Sequence, residues 1–309
     1  MVQLSGLTTE VMNEKTVHID ECGTLEILEL MNDEDATVAG AVRNELEYIA
    51  KAVDGITERL RTGGHLIYVG AGTSGRIGVL DASECPPTFG TDAELVQAFI
   101  AGGESAITHS SEGAEDDREA GRRLIRDHRI GEKDAVVGIA ASGRTPYVLG
   151  ALEEAGRKGA LTVGVSNNKK AELNSLCQVC IAPDVGAEVI MGSTRLKSGT
   201  SQKMVLNMIS TATMIKLGKV YKNLMVDMRP VNEKLVVRSR RMLELAAGIN
   251  EMGANRVLEQ ADGNLKAAIV MAKTQVDLKT ALAALSRNDE NVSRAIRYLS
   301  QNRRVGDAG

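Results

Sequence analysis

The chain has 309 residues, 43% of them hydrophobic but only 2% aromatic, and it has no Trp. A core of this size must be built from Ala, Val, Ile, Leu and Met, and the length suits one large domain plus a smaller one. Lys and Arg number 37 against 41 for Asp and Glu, a net charge of −4, so the surface exerts no long-range pull on nucleic acid or anionic lipid.

The N-terminal "MVQLSGLTTEVMNEK" has neither the basic nor the apolar region of a signal peptide. No apolar run approaches the length of a membrane span, so no membrane partner is expected. Four cysteines, Cys22, Cys85, Cys177 and Cys180, are too few for a disulfide framework. The expectation is a soluble, cytoplasmic protein.

Residues 24–62 predict helix, with the polar break "NDEDATV" at 32–38. The period then changes. Short apolar runs at "HLIYVG" (65–70), "AELVQAFI" (93–100), "DAVVGIA" (134–140), "LTVGVS" (161–166) and "VCIAPD" (179–184) predict strands buried on both faces of a parallel sheet. Helical patterns at 115–128, 145–158 and 169–176 separate the later ones. This alternation predicts an α/β fold. From about 195 the strands are expected to stop. Met204, Val205, Met208, Ile209, Ala212 and Ile215 predict one buried face of a long helix.

The last sixty residues carry a repeat: Ala254, Leu258, Asp262, Asn264, Ala268 and Ile269 recur 27 residues later as Ala281, Leu285, Asp289, Asn291, Ala295 and Ile296. Each copy predicts a helix, then an Asp-x-Asn turn whose side chains cap the next helix. The domain boundaries read as 1–54 for an N-terminal helical segment, 55–220 for the sheet domain and 221–309 for a small all-helical module.

Two strand ends carry the chemistry. "GAGTSG" at 70–75 satisfies G-x-G-x-x-G. However, the second strand runs out into "AFIAGGES", with small residues where a nicotinamide ribose requires an acid; the nearest acid, Glu104, lies past two glycines. No G-x-x-x-x-G-K-[ST] occurs, which removes the triphosphate reading. The third strand ends in "ASGRTP" at 141–146, again Ser-Gly-Arg before a helix. Hydroxyls (Thr73, Ser74, Ser142, Thr145), unobstructed glycines (Gly72, Gly143) and helix N-termini at neighbouring strand ends suit one phosphomonoester.

The paired loops resemble those of the sugar isomerase (SIS) domain, a flavodoxin-like doubly wound parallel sheet that binds phosphosugars. The stretch "GAGTSGRIGVLDASECPPTFG" (70–90), with "EGAEDDREAG" (112–121), "GIAASGRTPYV" (138–148), "GAEVIMGSTRLKSGTSQK" (186–203) and "NLMVDMRPVNEKL" (223–235), is similar to the N-acetylmuramic acid 6-phosphate etherases. The resemblance implies a carbon–oxygen lyase that releases D-lactate from its phosphosugar substrate. It needs neither cofactor nor metal, serves peptidoglycan recycling, and works as a homodimer with shared active sites.

Breaking that ether by elimination needs a base at sugar C2, an acid at the departing oxygen and a phosphate anchor. Glu84, in "DASECPP", is expected on a loop stiffened by Pro86 and Pro87, where a carboxyl group can be made a proton donor. Glu115 is expected in the first turn of helix 115–128, where the dipole favours the charged base. The resemblance implies both in the active site, Glu84 as the acid; which glutamate removes the C2 proton stays open.

Glu188 reads either as a sugar-hydroxyl ligand or as a cap of the following helix, and Lys234 either as a cation near C1–O5 or as an exposed helix lysine. Arg76 and Arg144 invite a phosphate clamp that the loops' own donors make unnecessary. Cys177 and Cys180 read as small buried hydrophobes, and His109 as a loop residue near Glu115. A non-catalytic phosphosugar-binding regulator and an aldose–ketose phosphate isomerase are the competing functions.

Overall fold

The computed structural model describes residues 10–111, 113–227 and 233–306, without the side chains of 233–235 and 303–306. The N-terminal helices are α1 (Thr24–Asp35), α2 (Val38–Arg43) and α3 (Leu46–Arg61). Alternation follows: β1 (Leu66–Gly70), α4 (Gly72–Phe89), β2 (Val96–Ile100), α5 (Ser105–Thr108), α6 (Arg118–Asp127), β3 (Ala135–Ile139), α7 (Pro146–Arg157), β4 (Leu161–Val165) and β5 (Val179–Ile181). After α8 (Lys197–Lys216) come a small antiparallel pair, β6 (Val220–Tyr221) and β7 (Leu224–Met225). Five helices complete the chain: α9 (Glu233–Ala247), α10 (Glu251–Gln260), α11 (Leu265–Thr274), α12 (Leu278–Arg287) and α13 (Val292–Gly306).

All five predicted strands form one parallel sheet in the order β2-β1-β3-β4-β5. β1, β3 and β4 are buried along their whole length, as near-continuous apolar runs require when helices cover both faces. Consecutive connections leave β1 in one direction for β2 and the other for β3. The junction of β1 and β3 is therefore the topological switch point, where such sheets receive ligands.

The chain divides into two compact units: residues up to Ser83 with Ala93–Thr211, and Glu84–Asp92 with the chain from Ala212 onward. Within the first, the segment before α1 is fastened to the stretch ahead of α8, and α1 itself to the first residue of α8. Thr16 Oγ1 donates to the Val189 carbonyl at 2.8 Å, and Lys197 Nζ lies 2.5 Å from Glu34 Oε2.

In the second unit the repeat is realised. Asp262 and Asp289 both take left-handed backbone, φ 51° and 54°. Asn264 Oδ1 accepts from Ala267 N, and Asn291 Oδ1 from Arg294 N, each at 3.0 Å. Capping belongs to the Asn alone; the Asp supplies the reversal.

Three expectations are corrected. The 169–176 helix is a 3₁₀ turn, Glu172–Leu176. The β6–β7 pair follows α8, where no further strand was expected. The stripe expected on α8 is only half right: Val205 and Ile209 are buried, but Ile215 is exposed, while Ser198, Ser201, Gln202, Ser210 and Thr213 are inside. Apolar periodicity misses a helix whose buried face is partly polar.

Candidate functional site

The first loop starts where β1 ends at Gly70, and α4 begins at once with Gly72 at φ +51°. Gly75 must be small: a Cβ there would lie 2.6 Å from Ile100 Cγ1. The second loop, Ala140–Thr145, leads from β3 into α7. Gly143 has φ +67°, and a Cβ on it would stand 2.3 Å from Ala171 Cβ. Thr145 precedes Pro146 without capping the helix with its side chain. Gly70 is level with Ile139 across the β1–β3 pairing, so the two loops emerge side by side at the switch point.

Next to the first loop opens a cleft of about 270 Å³, lined among others by Gly72, Arg76, Ser110, Ser111 and Glu115. Arg76 builds its wall. Its Nε donates to the Ile107 carbonyl (2.8 Å) and its Nη2 to the His109 carbonyl (3.0 Å), fixing the segment after α5 against α4. His109 contributes that carbonyl, and its ring Nδ1 lies 2.9 Å from Thr108 Oγ1. Ser110 and Ser111 went unread in the sequence, where attention in "ITHSSEGAEDD" fell on the histidine and the acids.

Glu115 is exposed and lines the cleft, but its local setting differs from the expectation. It lies in the 3₁₀ turn Ala114–Asp116, ahead of α6. The N-cap of α6 is Asp117, whose Oδ1 accepts from Ala120 N at 2.8 Å. The helix dipole is therefore met by Asp117, and Glu115 is held by the turn that the left-handed Gly113 initiates.

Glu84 also differs. α4 runs through Pro86 and Pro87 to Phe89, so Glu84 is an exposed helical residue, not a loop residue. The prolines cost backbone hydrogen bonds only in the last turn, which Gly90 N closes on the Pro86 carbonyl at 2.9 Å. Glu84 stands twelve residues after Gly72 on one helix, about 18 Å along its axis at the α-helical rise.

Of the loop hydroxyls, Ser142 and Thr145 are partly exposed at the second loop, and Ser142 Oγ accepts from Arg144 N at 3.3 Å. Thr73 is partly exposed on the first turn of α4. Ser74 is turned inward, and its Oγ donates to Gln202 Oε1 at 2.8 Å.

Glu188 is fully buried. Its Oε2 accepts from Lys197 N (2.9 Å), and its Oε1 from Ser198 N (2.9 Å) and Ser198 Oγ (2.7 Å). The capping alternative describes this geometry, because a carboxylate engaged at the N-terminus of α8 presents nothing to an open cleft. Lys234 belongs to α9, and its side chain lies outside the described residues.

Among the described residues no group of three or more His, Cys, Asp or Glu side chains is placed to hold a metal ion. Cys177 and Cys180 are free and half-buried; Cys177 packs against the core, and Cys180 Sγ donates to the Asn174 carbonyl at 3.2 Å. Each thiol acts on the other, pushing Cys177 up and Cys180 down. No described helix is long and apolar enough to cross a membrane.

Residues 48–156 match the family model of the glucokinase regulatory protein N-terminal SIS domain. A candidate phosphosugar isomerase involved in capsule formation from Bacteroides fragilis superposes with a TM-score of 0.50 at 21% identity, over 65% of this chain and 95% of its own. That likeness extends to the fold. Sequence relatives reach further. N-acetylmuramic acid 6-phosphate etherases from Clostridium beijerinckii and Clostridioides difficile are 52% and 51% identical over 298 residues, 96% of this chain and 98% of each relative. One from Bacillus cereus is 52% identical over 293 residues, 95% of this chain and the whole of that relative. These relatives are matched over nearly their whole length and nearly the whole of this chain, and the chain belongs to the N-acetylmuramic acid 6-phosphate etherase family.

Proposed function

We propose that this protein is a carbon–oxygen lyase that cleaves the D-lactyl ether of N-acetylmuramic acid 6-phosphate, giving N-acetylglucosamine 6-phosphate and D-lactate in the recycling of cell-wall sugars. The observation that carries the reading is the cleft that places the carboxylate of Glu115 beside the first phosphate loop. A phosphate held at the switch point by backbone N–H groups of both loops, Thr73, Ser142 and Thr145 leaves the sugar carbons to extend toward that carboxylate.

In the open-chain aldehyde the C2 proton is α to a carbonyl. Glu115 takes that proton, the electron pair forms the C2–C3 double bond, and the C3–O bond breaks. An acid protonates the lactyl oxygen as it leaves. Water then returns a hydroxyl to C3 and a proton to C2, so the net reaction consumes one water.

Glu84 is the acid. Its distance along α4 from the Gly72 loop is more than one hexose phosphate spans, so it serves the cleft of a second copy. The working unit is a homodimer with shared sites. Lys234, on α9, is proposed to assist ring opening. Glu188 supports the site from the α8 N-terminus. A cytoplasmic location fits the substrate, a product of wall turnover.

Release of D-lactate from the muramic acid phosphate is the direct assay. Glu84→Gln and Glu115→Gln are each expected to abolish it. Mixing the two inactive variants restores roughly a quarter of wild-type activity if each site draws one glutamate from each copy, since half the dimers are mixed and each holds one intact site. Ordinary turnover by Glu84→Gln removes Glu84 from the mechanism. Ketose formation would favour the isomerase, and binding without turnover the regulator.

A further inference from the structure

Gln202, on α8, is the penultimate residue of the sequence motif at 186–203 and takes no part in the chemistry above. It is buried beside Asn167, which follows β4. Asn167 Nδ2 donates to the Pro183 carbonyl at 3.1 Å and to Ser201 Oγ at 2.8 Å. A backbone carbonyl only accepts, so the Asn167 amide has one orientation, with Oδ1 on its other side. Gln202 Nε2 donates to that Oδ1 at 3.2 Å. Its own orientation is thereby set, and Oε1 faces Ser74 Oγ at 2.8 Å. An amide oxygen cannot donate, so the hydroxyl proton of Ser74 is committed to the interior.

The same asparagine reaches the second loop. Its main-chain N–H donates to the Ala141 carbonyl at 2.9 Å, immediately before Ser142. A chain of buried hydrogen bonds thus runs from Ser74 in the first loop, through Gln202 and Asn167, to the start of the second. Leaving any member unpaired costs the desolvation of a polar group, so the chain holds its partners in one arrangement.

We propose that Gln202 and Asn167 form a positioning bridge that sets the spacing of the two phosphate loops, with Ser74 bound into it as a donor. In the first loop the phosphate is then gripped by backbone N–H groups and Thr73, and Ser74 acts through the bridge. This rests on the phosphate reading of the loops. The bridge acts on ground-state binding: it keeps both loops at the separation one phosphate requires, so that their ordering is not charged to each binding event.

The test is a double-mutant cycle on the full-length protein with Gln202→Met, Ser74→Ala and both together. Gln202→Met is expected to raise KM for the muramic acid phosphate and Kd for inorganic phosphate about tenfold while kcat stays within about twofold. Ser74→Ala should lose a similar factor, and the pair no more than the larger single loss, because both break one chain. Losses that multiply, or an unchanged KM and Kd in Gln202→Met, overturn the bridge.

An arm on the wild-type protein needs no substitution. During a titration with inorganic phosphate, NMR should show the backbone amides of residues 72–75 shifting while the Gln202 side-chain NH₂ pair holds still. Movement of that pair would mean that Ser74 leaves Gln202 for the ligand and would overturn its assignment as an internal donor. Wild-type loop amides that ignore phosphate would instead overturn the phosphate reading itself, and the bridge with it.

Discussion

Glu34 and Lys197 form a buried pair, and removing either partner should have unequal consequences. The ammonium of Lys197 is 2% exposed and lies 2.5 Å from Glu34 Oε2. Among the described residues, Glu34 is the carboxylate within ion-pair distance of it. Glu34 is better provided: it also meets Lys15 at 2.8 Å, whose side chain is 70% exposed, and Asn13 Nδ2 at 3.0 Å. Glu34→Gln strands a buried cation, which costs about 3–5 kcal/mol. Lys197→Met leaves Glu34 with two partners and should cost about half as much, near the ~1–3 kcal/mol of a lost buried hydrogen bond. At roughly 2–4 °C per kcal/mol for a unit of this size, Glu34→Gln lowers the melting temperature by about 10 °C, and Lys197→Met by about half that. The acid limb provides a second reading. Burial pushes the Glu34 carboxyl up, but hydrogen bonds from Lys15 and Lys197 outweigh it and hold it at about 2, below the ordinary 4.5. A depressed carboxylate stabilises the fold above its unfolded value and loses that contribution as pH falls from 4.5 toward 2. The amount is on the order of 3 kcal/mol, and Glu34→Gln should abolish this part of the pH dependence. Calorimetry of wild type and both variants between pH 2 and 7 decides. A larger loss in Lys197→Met than in Glu34→Gln, or an unchanged acid limb in Glu34→Gln, refutes the reasoning.

Two further outcomes follow from backbone geometry. Gly143→Ala forces a side chain into left-handed backbone against Ala171, so it should cost about 2 kcal/mol or more and raise KM for the phosphosugar, read by denaturant titration and initial rates. Asn264→Ala and Asn291→Ala each remove one N-cap of the repeat. Each should cost about 1 kcal/mol in the second unit, additively within a few tenths in the double variant.

The sheet was legible in the sequence because its three central strands, β1, β3 and β4, are buried on both faces and therefore written as near-continuous apolar runs. The turns after β1 and β3 were legible for a related reason: Gly75 and Gly143 sit where no side chain fits. What escaped is polar and non-local. Nothing around Ser74 predicts that its hydroxyl turns toward a glutamine 128 positions away, because a hydrogen bond across the fold leaves no periodicity. α8 was misjudged on the same ground: its inner face carries serines and an amide whose partners are Glu188, Asn167 just after β4, and Ser74 and Asp81 on α4. Glu84 was misplaced for a different reason. Pro-Pro is a strong stop signal, but α4 runs through Pro86 and Pro87 to Phe89 despite the two backbone N–H donors they lack. Asp117, two residues after Glu115, shows how finely a cap must be read, since either acid satisfies the composition of a helix start and only one has the geometry.

Glu188 bears on why the proposed phosphate site lies at the strand ends and not at the start of α8. That start is close by: a Cβ on Gly199 would stand 3.4 Å from Thr73 Cγ2. The first N–H groups of a helix attract any anion, internal or external. Here they already hold the carboxylate of Glu188, which is fully buried and bound by two backbone N–H groups and one hydroxyl. A second anion would have to displace it and leave it buried without partners, which is costly. α7 begins with Pro146, which carries no N–H, and without a side-chain cap at Thr145. The two helix starts therefore differ. One is neutralised from within by Glu188, and its polar face, Ser201 and Gln202, belongs to the proposed bridge; the other has no side-chain cap and is the start proposed to face the phosphate. Placed in the same stretch of sequence, a glutamate that touched the sugar would have left α8 as a competing phosphate site beside the one that catalysis needs.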